Sequence, residues 1–252
     1  MYGRHPLPWR HTKDPYRILV SEVMLQQTQV SRVLKKYPKF LAAFPTIQAL
    51  DRAPLAKVLR VWQGMGYNRR ALYLQRLAHI VCDKFAGHIP ENPDALCRLP
   101  GIGAGTAGAI AAFAFGKRSA FIETNIRRAY LHHFFRGRRG IPDTVLLEKI
   151  SATLPRKNIR EWYYALMDYG AEGLTDVPNA NRRSAHYFRQ SLFKGSRREL
   201  RGRVLAEVVR RGSVAKPELQ RRIKDRRLLE VLAMMQREGL VTCSRSRISL
   251  PA

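Results

Sequence analysis

Residues 99–128 read LPGIGAGTAGAIAAFAFGKRSAFIETNIRR, and the fold turns on this stretch. It opens on a tight glycine turn, Leu99-Pro100-Gly101-Ile102-Gly103. Residues 106–115 then run through small and apolar side chains with the length and composition of a buried helix. The glycines allow close backbone approach, and a helix beginning just after Gly105 aims its first N–H groups at an anion. Further on, Glu123 stands where a second helix can begin, with Thr124 and Asn125 as capping residues. A buried helical hairpin with a glycine turn and a capping acid, and no ligand, fits the same residues.

Composition narrows the partner. The 252 residues carry 46 Lys and Arg against 19 Asp and Glu, a formal charge of +27. Such a field draws polyanions, nucleic acid first among them. A ribosomal protein has comparable charge. Here, however, 45% of residues are hydrophobic and the first two thirds alternate as packed helices do, which opposes a small core with a basic tail. Cys82, Cys97 and Cys243 are too few and scattered for a disulfide framework or a four-cysteine metal site. No stretch approaches a membrane span and no apolar signal core opens the chain, so a cytoplasmic, nucleoid-associated protein is expected.

In chain order, residues 16–29 read as one helix. Ile18, Val20, Val23, Met24 and Val30 share its inward side, with Leu19 and Leu25 blurring the stripe. Glu22 sits among them with no Lys or Arg one turn away on its own face. It is either an exposed helix carboxylate or an acid in an apolar pocket, where desolvation keeps a proton on it for donation. Gln26, Gln27, Thr28 and Gln29 follow, placed to cap the helix or to reach base edges of an opened duplex. Helices are expected over 33–44, 46–53, 54–63, 71–85, 129–135, 145–154 and 160–169, with a glycine-bracketed turn at 62–70 carrying Tyr67, Asn68, Arg69 and Arg70. Composition shifts at Asp176. Residues 200–211, 216–223 and 228–238 read as helices, and 240–243 and 247–250 as short strands. The expected architecture is all-α, with one domain over 1–194 and a small winged-helix-like module over 195–252. Such a module serves either a DNA groove or plain packing.

Several of these runs together resemble the helix-hairpin-helix DNA glycosylases, and within them the adenine glycosylases that remove adenine mispaired with 8-oxoguanine. The resemblance is carried by LPWR at 7–10, DPYRILVSEVMLQQTQV at 14–30, LPGIGAGTAGAI at 99–110 and the acid-x-Asn segment at 123–125, and more loosely by 62–70 and 167–170. It implies that Glu22 protonates the departing base and that Glu123 stabilises the oxocarbenium-like sugar and helps position water, with Asn125 helping to hold sugar or water. The logic is that of glycoside hydrolysis, one carboxyl protonated and one ionised. It also implies that Gln27 probes the duplex around the flipped base, and that Gly101, Ile102, Gly103 and Gly105 grip backbone phosphate. DNA contacts are further expected from Gln26, Gln29, Asn68, Arg69, Thr106 and Arg127. The partner is double-stranded DNA, and a monomer is expected.

The sequence departs from the family pattern at four points. Glu123 replaces the usual Asp and is one methylene longer. Gly105 occupies the position of the nucleophilic Lys of bifunctional relatives, so no Schiff-base lyase step is expected. No cysteine lies between Cys97 and Cys243, so no iron–sulfur cluster and no other metal or cofactor is expected, and residues 179–189 take its place with packing and basic contacts. Asn68 stands where the family has a wedging Tyr, and residues 195–252 replace its lesion-recognition domain. The resemblance therefore carries base excision further than it carries 8-oxoguanine recognition. Two alternatives remain: the same fold acting on uracil, mispaired thymine, hypoxanthine or an alkylated purine, and a non-catalytic helical DNA-binding protein that needs neither acid.

Overall fold

The computed structural model describes residues 2–3 and 5–251. A short 3-10 turn, Pro8–Arg10, precedes thirteen α-helices among the described residues. In the first half of the chain these are α1 (Pro15–Leu25), α2 (Val30–Ala43), α3 (Ile47–Asp51), α4 (Leu55–Trp62), α5 (Arg69–Lys84) and α6 (Pro93–Cys97). The second half adds α7 (Ala104–Phe115), α8 (Thr124–Phe134), α9 (Asp143–Thr153), α10 (Ile159–Asp168), α11 (Arg197–Arg211), α12 (Lys216–Arg222) and α13 (Leu228–Arg237). Strands β1 (Ser213–Ala215), β2 (Thr242–Cys243) and β3 (Arg247–Ser249) form one antiparallel sheet in the order β1-β3-β2. The helical architecture matches expectation. No helix among the described residues is long and apolar enough to cross a membrane.

Packing divides the chain into two compact units, one of residues 1–22 with 89–189 and one of residues 23–88 with 190–252. The break in composition read at 194/195 thus falls close to a real crossing point. Each unit, however, joins segments far apart in sequence.

The first unit is built on α7. Its residues 107–113 are all buried, because Ala, Gly, Ile and Phe leave no polar face to solvate. Phe113, Phe121, Tyr163 and Tyr164 pack around it edge to face and tilted, and Ile18 of α1 joins the same core. Gly108 has a geometric reason: a Cβ there would sit 2.6 Å from Cβ of Phe121. The chain returning from α7 can therefore lie directly against it. Buried Arg160 ties the N-terminal segment down, donating to the carbonyls of Phe113, Trp9, Arg10 and Thr12. Arg10 in turn makes a two-pronged ion pair with Asp168 (2.8 and 2.7 Å) and stacks on Tyr164. The loosely matching runs at 7–10 and 167–170 thus meet through one buried ion pair.

Residues 179–184 are also bound into this unit. Asn181 is buried and donates to the Thr124 carbonyl (3.1 Å), and Arg183 donates to the carbonyls of Leu131 and Phe135.

The second unit packs Phe40, Phe44 and Trp62 at the centre of α2–α5, with α11 against α4. Its C-terminal part runs helix, strand, helix, helix, hairpin, which is the element order of a winged helix. Strand β1 lay outside the sequence reading: three residues between Gly212 and Lys216 carry no resolvable alternation.

Two helix boundaries correct the sequence reading. Residues 16–29 are not one helix, for α1 stops at Leu25 and Gln27 takes a left-handed conformation, φ 52°. Helix α7 begins at Ala104 with Gly103 as N-cap, ahead of the expected start after Gly105. Replacing Gly108 by Ala forces Phe121 or the 117–123 segment outward. We expect a loss of about 1–3 kcal/mol, read as a lowered urea midpoint with an unchanged slope.

Candidate active site

Both candidate acids belong to the first unit. Glu22 lies in the last full turn of α1 between buried neighbours, Ser21 and Val23. It is surrounded by protein on most sides yet keeps some accessible surface. Removal from water raises its pKa from an ordinary 4.5 to about 8, the neighbouring Glu123 charge adds to the rise, and Arg10 opposes it. The pocket-acid reading of Glu22 is the one the geometry supports.

Glu123 is held differently. Its backbone is extended (φ −125°, ψ 174°) and its Oε1 accepts from the N–H groups of Asn125 (2.8 Å) and Ile126 (3.0 Å). The N-cap of α8 is therefore Glu123 itself, while Thr124 and Asn125 stand inside the helix. The extra methylene is absorbed by this cap, which curls the side chain back over the helix end. Burial raises Glu123 to about 7, but the Ile126 and Asn125 amides, Arg127 and the Thr124 amide all pull the other way. The pair is thus graded. Glu22 has only Arg10 to favour its anion, whereas Glu123 has a helix N-terminus and a nearby cation.

The surrounding residues set this placement. The Gly170 backbone lies so close to that of Asn125 that no Cβ fits between them. Arg127 was read as a DNA contact; instead its guanidinium forks onto Asp143 (3.2 and 2.6 Å) and lends its charge to Glu123. Asn125 is partly buried beside Glu123, its amide committed to the cap.

The glycine turn also belongs to this unit. Gly101 takes φ 79°, Ile102 is buried, and Gly101, Gly103 and Ala104 are exposed. The first bond of α7 runs from Ala107 N–H to the Gly103 carbonyl, so the amides of Ala104 and Gly105 precede the helical ladder. Thr106 is half-buried in the first turn. At Gly105 a Cβ would meet the Ile122 carbonyl oxygen at 3.1 Å.

In the second unit, Gln27 and Gln29 are exposed and Gln26 half-buried, in the turn after α1. The capping reading is not realised: Gln29 is the N-cap residue of α2 by backbone only, with no side-chain bond. Asn68 holds the same position for α5, again without a side-chain bond. Arg69 is exposed and bonds the Tyr73 hydroxyl (2.6 Å).

The residue that the sequence reading missed is Arg70. Buried and without a carboxylate partner among the described residues, it donates to the carbonyls of Val23, Met24, Gln26, Met65 and Gly66 and to the Thr28 hydroxyl. Burial lowers its pKa to about 10. One guanidinium thus ends α1 and holds two turns, one containing Gln27 and the other containing Tyr67 at φ 47°. The available signal was weak, a second Arg beside Arg69 in a glycine-bracketed turn.

Comparison with known proteins places this arrangement. Residues 20–155, just over half of the chain, match the HhH-GPD superfamily of base excision DNA repair proteins. The chain belongs to this superfamily. It is 37% identical over 171 residues to an adenine DNA glycosylase of Buchnera aphidicola subsp. Baizongia pistaciae, covering 68% of this chain and 49% of that protein. It is 34% identical over 221 residues to an adenine DNA glycosylase of Mycolicibacterium smegmatis, covering 81% and 75%. The chain thus spans about half the length of the first relative. A solved thermostable thymine-DNA glycosylase superposes with a TM-score of 0.60 at 30% identity, over 67% of this chain and 79% of that one.

An HhH-GPD iron–sulfur cluster would need four thiolates together. Here the region after α10 supplies Asn181 and Arg183 instead, and Cys82, Cys97 and Cys243 are separate free thiols. Among the described residues no three His, Cys, Asp or Glu side chains are grouped to hold a metal. The residues present do not fit the cluster.

The raised carboxyl pKa values have a stability consequence. Between the unfolded carboxylate range and about 8 the folded chain holds more protons than the unfolded one, so this contribution is full at low pH and lost as pH rises through 7 and 8. Glu22→Gln cannot ionise. It is expected to raise the denaturation midpoint at pH 9 by about 1 kcal/mol or more, with the gain vanishing near pH 5. An equal shift at both pH values would mean that Glu22 is not the titrating group.

Proposed function

We propose that this HhH-GPD protein is a monofunctional DNA N-glycosylase that removes adenine from a mismatch with 8-oxoguanine or guanine. The observation that carries the reading is the graded carboxyl pair, with Glu22 the weaker acid and Glu123 poised as the anion. With the base flipped into the site, the Glu22 proton passes to a ring nitrogen of adenine. The glycosidic C–N bond then breaks, its electron pair leaving on the neutral base. The sugar is left as an oxocarbenium-like cation, which the Glu123 carboxylate stabilises. Water adds to the anomeric carbon on the Glu123 side and gives up its proton there. Asn125, beside Glu123, holds sugar or water. With Gly105 at the position of the bifunctional lysine, no amine attacks the sugar.

The remaining assignments follow the same reading. Double-stranded DNA is gripped by backbone amides at Gly101, Ile102, Gly103 and Gly105, with Thr106 beside them. Gln27 is presented in an exposed, left-handed turn. Asn68 and Arg69 lie on the second turn, with Gln26 and Gln29 flanking the first. The +27 charge supplies non-specific attraction. The protein acts as a monomer, in the cytoplasm, with no iron–sulfur cluster, its place being taken by the packed Asn181–Arg183 segment. A second reading, the same chemistry on mispaired thymine, draws on the 30% identity with the thymine-DNA glycosylase.

Single-turnover assays on duplexes with A opposite 8-oxoguanine, A opposite G, U opposite G and T opposite G decide between these readings. Strand breaks at adenine only after alkali are expected. Breaks at thymine or uracil move the substrate, and none from any duplex removes the catalytic reading. Glu22→Gln should lower the excision rate by about a thousandfold with DNA affinity nearly unchanged. The rate should be bell-shaped in pH with limbs near 7 and 8, the two values belonging to the pair.

A further inference from the structure

Tyr67 is an aromatic residue held at φ 47°, between Gly66 (φ 73°) and Asn68. A bulky side chain reaches that backbone region only when its surroundings impose it. Behind it, Arg70 lies 5.4 Å from the ring centroid. The Tyr67 hydroxyl is gripped from a distant part of the chain: Arg198 of α11 donates to it at 2.8 Å, and so does the Gln190 side chain. Arg198 lies 5.9 Å from the centroid of the same ring and also donates to the Ser191 carbonyl at 2.6 Å. No carboxylate among the described residues neutralises Arg198, so its hydrogen bonds go to neutral acceptors. Glu199, next in sequence, is turned the other way and accepts from the Gly195 amide.

We propose that the C-terminal segment takes part in base recognition through this contact: Arg198 and Gln190 are positioning residues that fix Tyr67, and with it the angle at which Asn68 faces the base opposite the lesion. The inference rests on the reading above, in which the 64–69 turn meets the duplex. It gives residues 190–198 a task in this chain. The Gln27 turn has no such tie, being held by Arg70 and by the Thr28 hydroxyl's bond to the Gln26 carbonyl. Loss of the Tyr67 hydroxyl should therefore loosen one turn and leave the other in place.

The test compares the full chain with Tyr67→Phe, Arg198→Ala, Arg198→Lys and the Tyr67→Phe/Arg198→Ala double variant. Tyr67→Phe keeps the ring and every cation and removes only the acceptor. Affinity is measured on duplexes carrying an abasic-site analogue opposite 8-oxoguanine, G, A, C and T, so the readout needs no base excision. The wild type should show a spread of Kd across opposing bases. Each single variant is expected to narrow that spread by about threefold or more, and the double variant no further than the worse single, the signature of two residues acting through one bond. Arg198→Lys should recover part of the spread. Single-turnover excision at saturating enzyme should stay within about twofold of wild type, since neither residue meets the reacting atoms. An unchanged spread in Tyr67→Phe overturns the proposal, as do additive losses in the double variant or equal wild-type affinity for all five duplexes. In each of those cases the catalytic reading stands or falls separately, on Glu22→Gln.

Discussion

Two carboxyl groups brought within reach of one another, away from bulk water, cannot both be charged at little cost. That constraint organises the first unit. Burial alone would leave Glu22 and Glu123 equivalent; what separates them is the local chemistry of their carriers. Glu22 projects from the side of a helix, where every backbone amide is already spent on the helical ladder. Glu123 sits ahead of a helix, where amides are unspent and face it. The same residue type therefore becomes acid in one place and base in the other. Arg10 and Arg127 fit this division, since both are bound to aspartates, Asp168 and Asp143, rather than to the carboxyls they influence.

Much of this was legible in the sequence. The all-helical architecture, the glycine turn and its buried helix, and the C-terminal helices with their hairpin strands all follow from apolar periodicity and from Gly and Pro punctuation. What escaped depends on groups distant in the chain. That residues 16–29 form a helix and then a strained turn is decided by Arg70, more than forty residues later, taking over the carbonyls of Val23, Met24 and Gln26. Local pattern carries no trace of such a partner. The cap at Glu123 was missed by one residue because Thr and Asn are the commoner caps and Glu is a rarer one. Arg127 looked like a free cation in a basic protein until Asp143 was placed beside it. In the candidate site, residue identities were readable, while the grading of the acids and the engagement of the cations required three dimensions.

A buried arginine with no acid partner is unusual, and Arg70 shows how its cost is met. Five carbonyls and a hydroxyl surround one guanidinium, and the rings of Trp62 and Tyr67 lie 5.2 and 5.4 Å from it. Lysine, with a compact ammonium in place of a planar fork, would not span both turns. The left-handed residues Gln27 and Tyr67 are thereby kept in place by one side chain, so their two strained conformations are not independent of each other.

The interleaving of the two units bears on how the chain is made. Residues 23–88 interrupt a unit that begins at the N-terminus and resumes at Ile89. The ion pair that anchors the opening segment, Arg10 with Asp168, closes a separation of 158 residues. On the ribosome the surroundings of Glu22 therefore cannot assemble until α10 has emerged. Until then α1, with Ile18, Leu19 and Val20 destined for burial, must wait with its apolar surface uncovered. Contacts of such long sequence separation slow folding, and an uncovered helix of this kind is a natural client for a chaperone. The arrangement that gives Glu22 its raised proton affinity thus leaves the newborn chain exposed for most of its synthesis.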